Sequence, residues 1–431
     1  MNASRDILPH STILIEGNHI KKIGGKTNFR NFTGDVIDAK HLVAVPGFIQ
    51  THIHLCQTLF RGLADDLQLL DLLQQKIFPF EAAHNEHSMY VSALLGVAEL
   101  FRSGTTTILD MGSIHFEEEI IRAVGESGMR AFLGKAMMDR NDLFPQLKES
   151  TTSALSSTRN LAERFHNSYD CRVKYAAAPR FVLSCSEKLL RETGEMVQNF
   201  DGMLLHTHAS ENKNEIAHVK KLYGKDNITA LHSFGTLSEK TILAHCVHLS
   251  AQEMTLLQKT KTHIAHCPSS NLKLASGIAN VPQYRAAGIN VTLGADGAPC
   301  NNSLSIFQEM RLAALLQKPF HGATAMDAQT AFELATVNGA KALGLSSEIG
   351  SIEIGKKADI VLLDLNNVWN PVESNAEQLY SSIVYSATRE NIHSVMLDGR
   401  WIVRNKELIA LDEKKIFEIA RRELKKLRER V

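Results

Sequence analysis

The chain reads as α/β: a (β/α)₈ TIM barrel with a small β-sandwich domain built from both chain termini. Three observations predict this. Eight apolar strand-like runs fall between residues 42 and 299, helical patterns separate most of them, and short alternating strands recur at both ends. A length of 431 residues with 44% hydrophobic content is enough to bury a core of that size.

Near the start, ILIEGNHIKKIG gives two alternating strands joined by Gly17-Asn18, a dipeptide suited to a tight hairpin. At the far end, ADIVLLDL is a strand, and SVMLDGRWIV has Asp398-Gly399 between two more. Residues 1–45 and 350–431 are therefore expected to form one composite β unit, and 46–349 the barrel. The barrel strands are LVAVPGFIQTHIHL, TTTILDMGS, RAFLGKAMMD, RVKYAAAPRF, GMLLHTHAS, TILAHCVHL, THIAHCPSS and INVTLGADGAP. Between the first two, Glu86 to Arg102 puts Met89, Ala93, Val97 and Leu100 on one helical face and stops at Ser103-Gly104. The last segment, Asp412 to Val431, is an amphipathic helix with Ile416, Ile419, Ala420 and Leu424 inward.

Charge and cysteine usage narrow the classes of function. Lys plus Arg equal Asp plus Glu at 47 each, so no long-range field favours nucleic acid or an anionic membrane, and a small neutral substrate fits better. The six cysteines lack CxxC spacing and read as buried thiols of a reducing compartment. MNASRDILPH lacks the pattern of a signal peptide, and no uncharged apolar run reaches the ~20 residues of a membrane span, so the cytoplasm is expected.

Histidine is the unusual residue, with 19 copies, many at the ends of apolar runs. Barrel enzymes draw reactive groups from the C-terminal ends of different strands. Here His52 and His54 end strand one, His206 and His208 strand five, His245 strand six, His266 strand seven and Asp296 strand eight. Residues i and i+2 of a strand share a face, so His52 and His54 can converge on one cation at ~2.0–2.1 Å from each nitrogen. Two imidazoles hold a metal poorly, and HxH occurs by chance. One histidine of strand five and Asp296 would complete a set suited to Zn²⁺ or Fe²⁺ with a position open for water. Spacing alone leaves His206 and His208 as alternatives; Glu211, three positions after His208 and just past the strand end, favours His208. Glu211 and Asp296 are the available proton carriers, and His245 is placed to stabilise developing negative charge. Each has a structural alternative: Asp296 as a turn cap, His245 as a satisfied core histidine. His248, His263 and His266 are read as structural.

At these residues the sequence resembles the amidohydrolase superfamily, in its branch of purine and triazine aminohydrolases. PGFIQTHIHL, LHTHASEN, LAHCVHL, CPSSNLKLASGIA and LGADGAPCNNSL follow the family's order, and EIGSIEIGKKADIVLLDL is similar to its return into the small β domain. The resemblance implies one divalent ion, Zn²⁺ or Fe²⁺, on His52, His54, His208 and Asp296, with Glu211 as proton shuttle and His245 beside it. It implies hydrolytic release of ammonia from a purine ring by metal-activated water. LFRGLADDL, FPFEAAH and APCNNSLSIFQEMRLAAL resemble deaminases of 5′-substituted adenosines (methylthioadenosine, S-adenosylhomocysteine, 5′-deoxyadenosine), in which the acid matching Glu81 grips the ribose diol. Guanine deaminases share that acid, and they carry a glutamine at Gln57 and a Pro-Arg-Phe at Pro179, Arg180 and Phe181, whose arginine binds a purine carbonyl. Ala177 and Leu72 depart from the histidine and tryptophan common in nucleoside deaminases. Guanine deamination, triazine hydrolysis and a catalytically dead scaffold barrel are the alternatives. The chain reaches its first hairpin sooner than such relatives do, which implies an exposed sheet edge able to pair in a homo-oligomer.

Overall fold

Each of the eight apolar runs becomes a parallel strand of one closed sheet in the computed structural model of the protein, which describes residues 2, 4–25, 32–142, 144–366 and 376–431. The hairpin β1 (Thr12–Glu16) and β2 (His19–Gly24) leads through β3 (Val43–Pro46) into β4 (Phe48–His54). The barrel continues with β5 (Thr105–Asp110), β6 (Arg130–Leu133), its short extension β7 (Ala136–Met137), β8 (Val173–Pro179), β9 (Leu204–Ala209), β10 (Thr241–His245) and β11 (His263–His266). The eighth strand comes in two pieces, β12 (Val291–Leu293) and β13 (Asp296–Gly297). β12 pairs with β11, and β13 pairs with β4, which closes the cylinder.

Local chemistry sets the boundaries. The helix Glu86–Arg102 starts at a capping box, with the Asn85 side chain accepting from Ser88 N–H and the Ser88 hydroxyl accepting from Asn85 N–H. It ends because Gly104 takes φ +78°, where a Cβ would meet the Phe48 ring at 3.1 Å. Met89, Ala93, Val97 and Leu100 of this helix are buried, as its periodicity predicts.

Inside the barrel, Ile49, Leu109, Phe132, Ala176, Leu204, Ile242 and Ala265, one from each of seven strands, form an apolar plug. In β4, β9 and β10 the plug residues Ile49, Leu204 and Ile242 lie toward the strand starts, so the histidines that follow them are left toward the open end.

Below the barrel, β14 (Ile360–Leu363), β15 (Ile392–Leu397), β16 (Arg400–Arg404) and β17 (Glu407–Leu408) join β3 in an antiparallel sheet of order β17-β16-β15-β14-β3. It packs against the β1–β2 hairpin through Ile20, Ile360, Leu362 and Met396. Asp398 and Gly399 both adopt positive φ, as the turn reading expects, whereas at the first hairpin Gly17 alone does. The final helix, Glu413–Arg430, is capped by Asp412 and buries Ile416 and Ala420; Leu424 is only half-buried, and Glu423 and Leu427 are inward instead. Arg430 donates to Ser88 Oγ at 3.2 Å, so this helix returns to the barrel and lies on Glu86–Arg102. Residues 26–31 and 367–375 of the expected composite unit lie outside the described residues.

Candidate metal centre

His52 and His54 reach the C-terminal mouth on β4, His208 on β9 and Asp296 on β13, and their ligand atoms all lie within 4.8 Å of one another. Asp296 Oδ1 is 3.2 Å from His52 Nε2 and 3.3 Å from His54 Nε2, and His54 Nε2 is 3.2 Å from His208 Nε2. Donors at ~2.0–2.1 Å around a tetrahedral cation are about 3.3–3.4 Å apart, so these separations fit the edges of such a site. Burial holds His52 below its ordinary pKa. Burial, reinforced by neighbouring imidazoles, holds His54 and His208 well below it. Asp296 is held well below the carboxylate range: burial opposes this, but the hydrogen bond from His52 and the surrounding imidazoles of His52, His245 and His54 prevail. Neutral imidazoles with free lone pairs beside a carboxylate are the donor chemistry of zinc.

The surroundings orient these donors. His208 Nδ1 lies 2.7 Å from the Arg180 carbonyl, to which it donates, leaving Nε2 its lone pair. His206 Nε2 meets His52 Nδ1 at 2.9 Å, so the other histidine of the second HxH supports strand one. Ser270 Oγ donates to Asp296 Oδ2 at 2.5 Å. His245 and Asp296 both take positive φ, +72° and +63°, a conformation that costs a side-chain-bearing residue about 1–3 kcal/mol.

A cavity opens above the cluster. Glu211 and His245 line it, with His245 Nε2 3.5 Å from Glu211 Oε2 and His245 Nδ1 2.8 Å from Asn271 Oδ1. Burial lifts the Glu211 carboxyl to about 7. Glu215 fixes its backbone, accepting from Glu211 N–H at 2.9 Å, and Ser276 Oγ lies 3.4 Å from Glu211 Oε1. Leu69, Leu72, Leu73, Ile77 and Leu274 form an apolar wall, and Gln57, Arg180 and Phe181 lie on the cavity surface.

Glu81 is buried behind that surface. Arg180 grips it with both terminal nitrogens, at 2.6 and 3.0 Å, and Gln57 Nε2 donates to Glu81 Oε1 at 2.8 Å. The donor role fixes the Gln57 amide orientation, leaving its buried Oε1 without a partner. His54, Cys56 and Glu81 form a second group with ligand spacing, but the Arg180 cation already occupies the Glu81 carboxylate, and burial holds the Cys56 thiol far above its ordinary pKa. That group is a poor cation site.

Of the histidines read as structural, His248 Nε2 contacts the Ser276 carbonyl at 2.8 Å and His263 meets Asn290 at 3.0 Å. His266 is buried with neither ring nitrogen partnered among the described residues. Sequence reasoning gave no role to Glu215, Ser270, Asn271 and Ser276; the only signal was the CPSSNLKLASGIA stretch, which holds Ser270, Asn271 and Ser276.

An α/β barrel with this cluster at its mouth defines a metal-dependent hydrolase, and residues 43–402 match the Amidohydrolase family. The chain belongs to that family. It is 40% identical to a 5′-deoxyadenosine deaminase of Methanocaldococcus jannaschii over 410 residues, 95% of this chain and 94% of that protein. It is 36% identical to a 5-methylthioadenosine/S-adenosylhomocysteine deaminase of Thermoanaerobacter pseudethanolicus over 418 residues, 97% of this chain and 94% of the other. Among solved structures, an adenosine deaminase from Xanthomonas campestris with bound zinc superposes with a TM-score of 0.90 at 29% identity, covering 98% of this chain and 94% of that one. Among the described residues no helix is long and apolar enough to cross a membrane.

Proposed function

We propose that this chain hydrolyses the amino group from the purine of an adenine nucleoside without a free 5′-hydroxyl: 5′-deoxyadenosine first, with methylthioadenosine and S-adenosylhomocysteine in the same class. The observation that carries this is the His52, His54, His208 and Asp296 cluster beneath a cavity with Glu211 and His245 in its wall, in a chain matched end to end by deaminases of such nucleosides. A zinc ion on these four residues, or Fe²⁺ in its place, supplies the Lewis acidity that makes water nucleophilic near neutral pH.

The remaining chemistry belongs to the side chains. Glu211, lifted to about 7, keeps a proton into the neutral range and delivers it to the ring nitrogen beside the carbon under attack. That quenches the negative charge the ring would otherwise gain. Asp296 accepts a proton from the water and passes it to the departing amine, which leaves as ammonia while the hydroxyl proton on the ring carbon returns to Glu211 and the carbon becomes a carbonyl. His245, steadied by Asn271, presents Nε2 toward the oxygen that gains charge. Two acceptors remain for a ribose diol: a lone pair of Glu81 Oε2, whose one strong donor is Arg180, and the unpartnered Gln57 Oε1. Phe181 offers a ring to the base, and the leucine wall suits the uncharged 5′ end of 5′-deoxyadenosine or methylthioadenosine.

Guanine is the second reading, favoured by Gln57 and Arg180 on the cavity surface. It requires Arg180 to turn part of its fork from Glu81 to a purine carbonyl. Ammonia release from 5′-deoxyadenosine, methylthioadenosine, S-adenosylhomocysteine, guanine and a chlorotriazine, measured side by side on zinc-loaded protein, decides between them. Turnover of the adenine nucleosides is expected; turnover of guanine alone overturns the proposal, and release of chloride from the triazine alone replaces it.

A further inference from the structure

Glu309 takes no part in the chemistry above, yet it is wholly buried, on the helix Ile306–Leu315, and forms no salt bridge among the described residues. Its carboxylate is satisfied by donors from two different loops. From the short helix Pro268–Lys273 after β11, Ser269 gives its hydroxyl to Oε1 at 2.5 Å and its N–H to Oε2 at 3.2 Å. From the short helix after β13, Asn301 Nδ2 donates to Oε1 at 2.9 Å and also to the Ala295 carbonyl at 2.8 Å, immediately before Asp296. Ser270, the neighbour of Ser269, is the residue whose hydroxyl reaches Asp296 Oδ2 at 2.5 Å. One buried carboxylate thus joins the loop that carries the donor to the loop that carries the acceptor.

We propose that Glu309 is a positioning residue for Asp296: by clamping Ser269 and Asn301 it sets the Ser270 hydroxyl on Asp296 Oδ2 and turns Oδ1 toward the three histidines. A carboxylate free to rotate could turn either oxygen to the cation or withdraw both. Fixing one oxygen with a hydroxyl leaves the other as a ligand of defined direction, and outer contacts of this kind change metal affinity by about 10–100-fold. A filler of the loop interface alone would affect stability without touching metal affinity. The inference rests on the metal-ligand reading and is independent of which purine is the substrate.

Zinc-loaded wild type, Ser270→Ala, Glu309→Gln and the double variant are titrated with a competing chelator, and their melting temperatures are recorded. Zinc retention about 10–100-fold weaker in each single variant is expected, with no further weakening in the double variant, because both act on the same carboxylate. Wild-type zinc affinity in folded Glu309→Gln and Ser270→Ala overturns the proposal, and so does additive loss in the double variant. If Glu309→Gln does not fold, Ser269→Ala and Asn301→Ser cut the two arms separately: weaker zinc retention in either supports the clamp, and wild-type retention in both overturns it. No substrate enters this measurement, so a protein inert toward every adenine nucleoside can still show the expected pattern.

Discussion

The two ends of the barrel treat buried charge in opposite ways. At the base, Arg130 pairs with Asp359 and lies 3.5 Å from Asp398, which Arg172 and Lys357 also approach at 3.7 and 3.4 Å. These charges answer one another, and they join the small sheets to the starts of β6 and β8. At the mouth, His54 Nδ1 and Gln57 Oε1 are buried without hydrogen-bond partners among the described residues, and Glu211 carries a carboxyl that its surroundings leave half-protonated near pH 7. Satisfied polar groups hold a structure together, whereas unsatisfied ones are kept for something that arrives. The base is built for cohesion and the mouth for chemistry.

The comparison is broken most directly at Glu211. Replacing it with Gln should lower kcat by about 10²–10⁴-fold while zinc content and melting temperature stay near wild type. In the acid role proposed for Glu211, wild-type kcat should fall as pH rises through about 7, and this limb should vanish in the variant. A large fall in melting temperature with kcat preserved would place Glu211 with the structural charges instead.

Arg130→Met tests the other end. It leaves Asp359 buried without its main counter-charge, a loss of about 3–5 kcal/mol read by denaturant unfolding, with kcat/KM per folded molecule unchanged. A smaller effect is expected from Glu309, lifted by burial from 4.5 to about 7. Between those values the folded state keeps a proton that the unfolded chain has released. Its contribution is therefore fully present below pH 4.5 and is lost as pH rises through about 7. Plotted against pH, the stabilities of wild type and Glu309→Gln should converge below pH 4.5 and separate between 4.5 and about 7.

The strands, the helix Glu86–Arg102 and the hairpin turns were legible because each rests on residues adjacent in sequence: apolar periodicity, a cap, a glycine in the left-handed region. The metal cluster was legible in part. Strand ends announce where side chains converge, so His52, His54 and Asp296 could be read from position, while the choice of His208 over His206 needed Glu211 and the family resemblance. The contacts that orient the site were not legible. Glu81 and Arg180 were each marked by resemblance, but not their meeting across 99 residues, and nothing local marks Arg130 or Asp359, which meet across 229. Glu309 looked like any polar residue of a helix; only the approach of two loops gives its carboxylate a purpose.

The cylinder is zipped shut by the two-residue strand Asp296–Gly297, which lies against Ile53 and His54. A seam that includes two of the proposed zinc-binding positions couples shape to cargo: amide exchange at that junction should slow when zinc is added. For the same reason, circular permutants cut between Leu293 and Asp296 should be the hardest to recover.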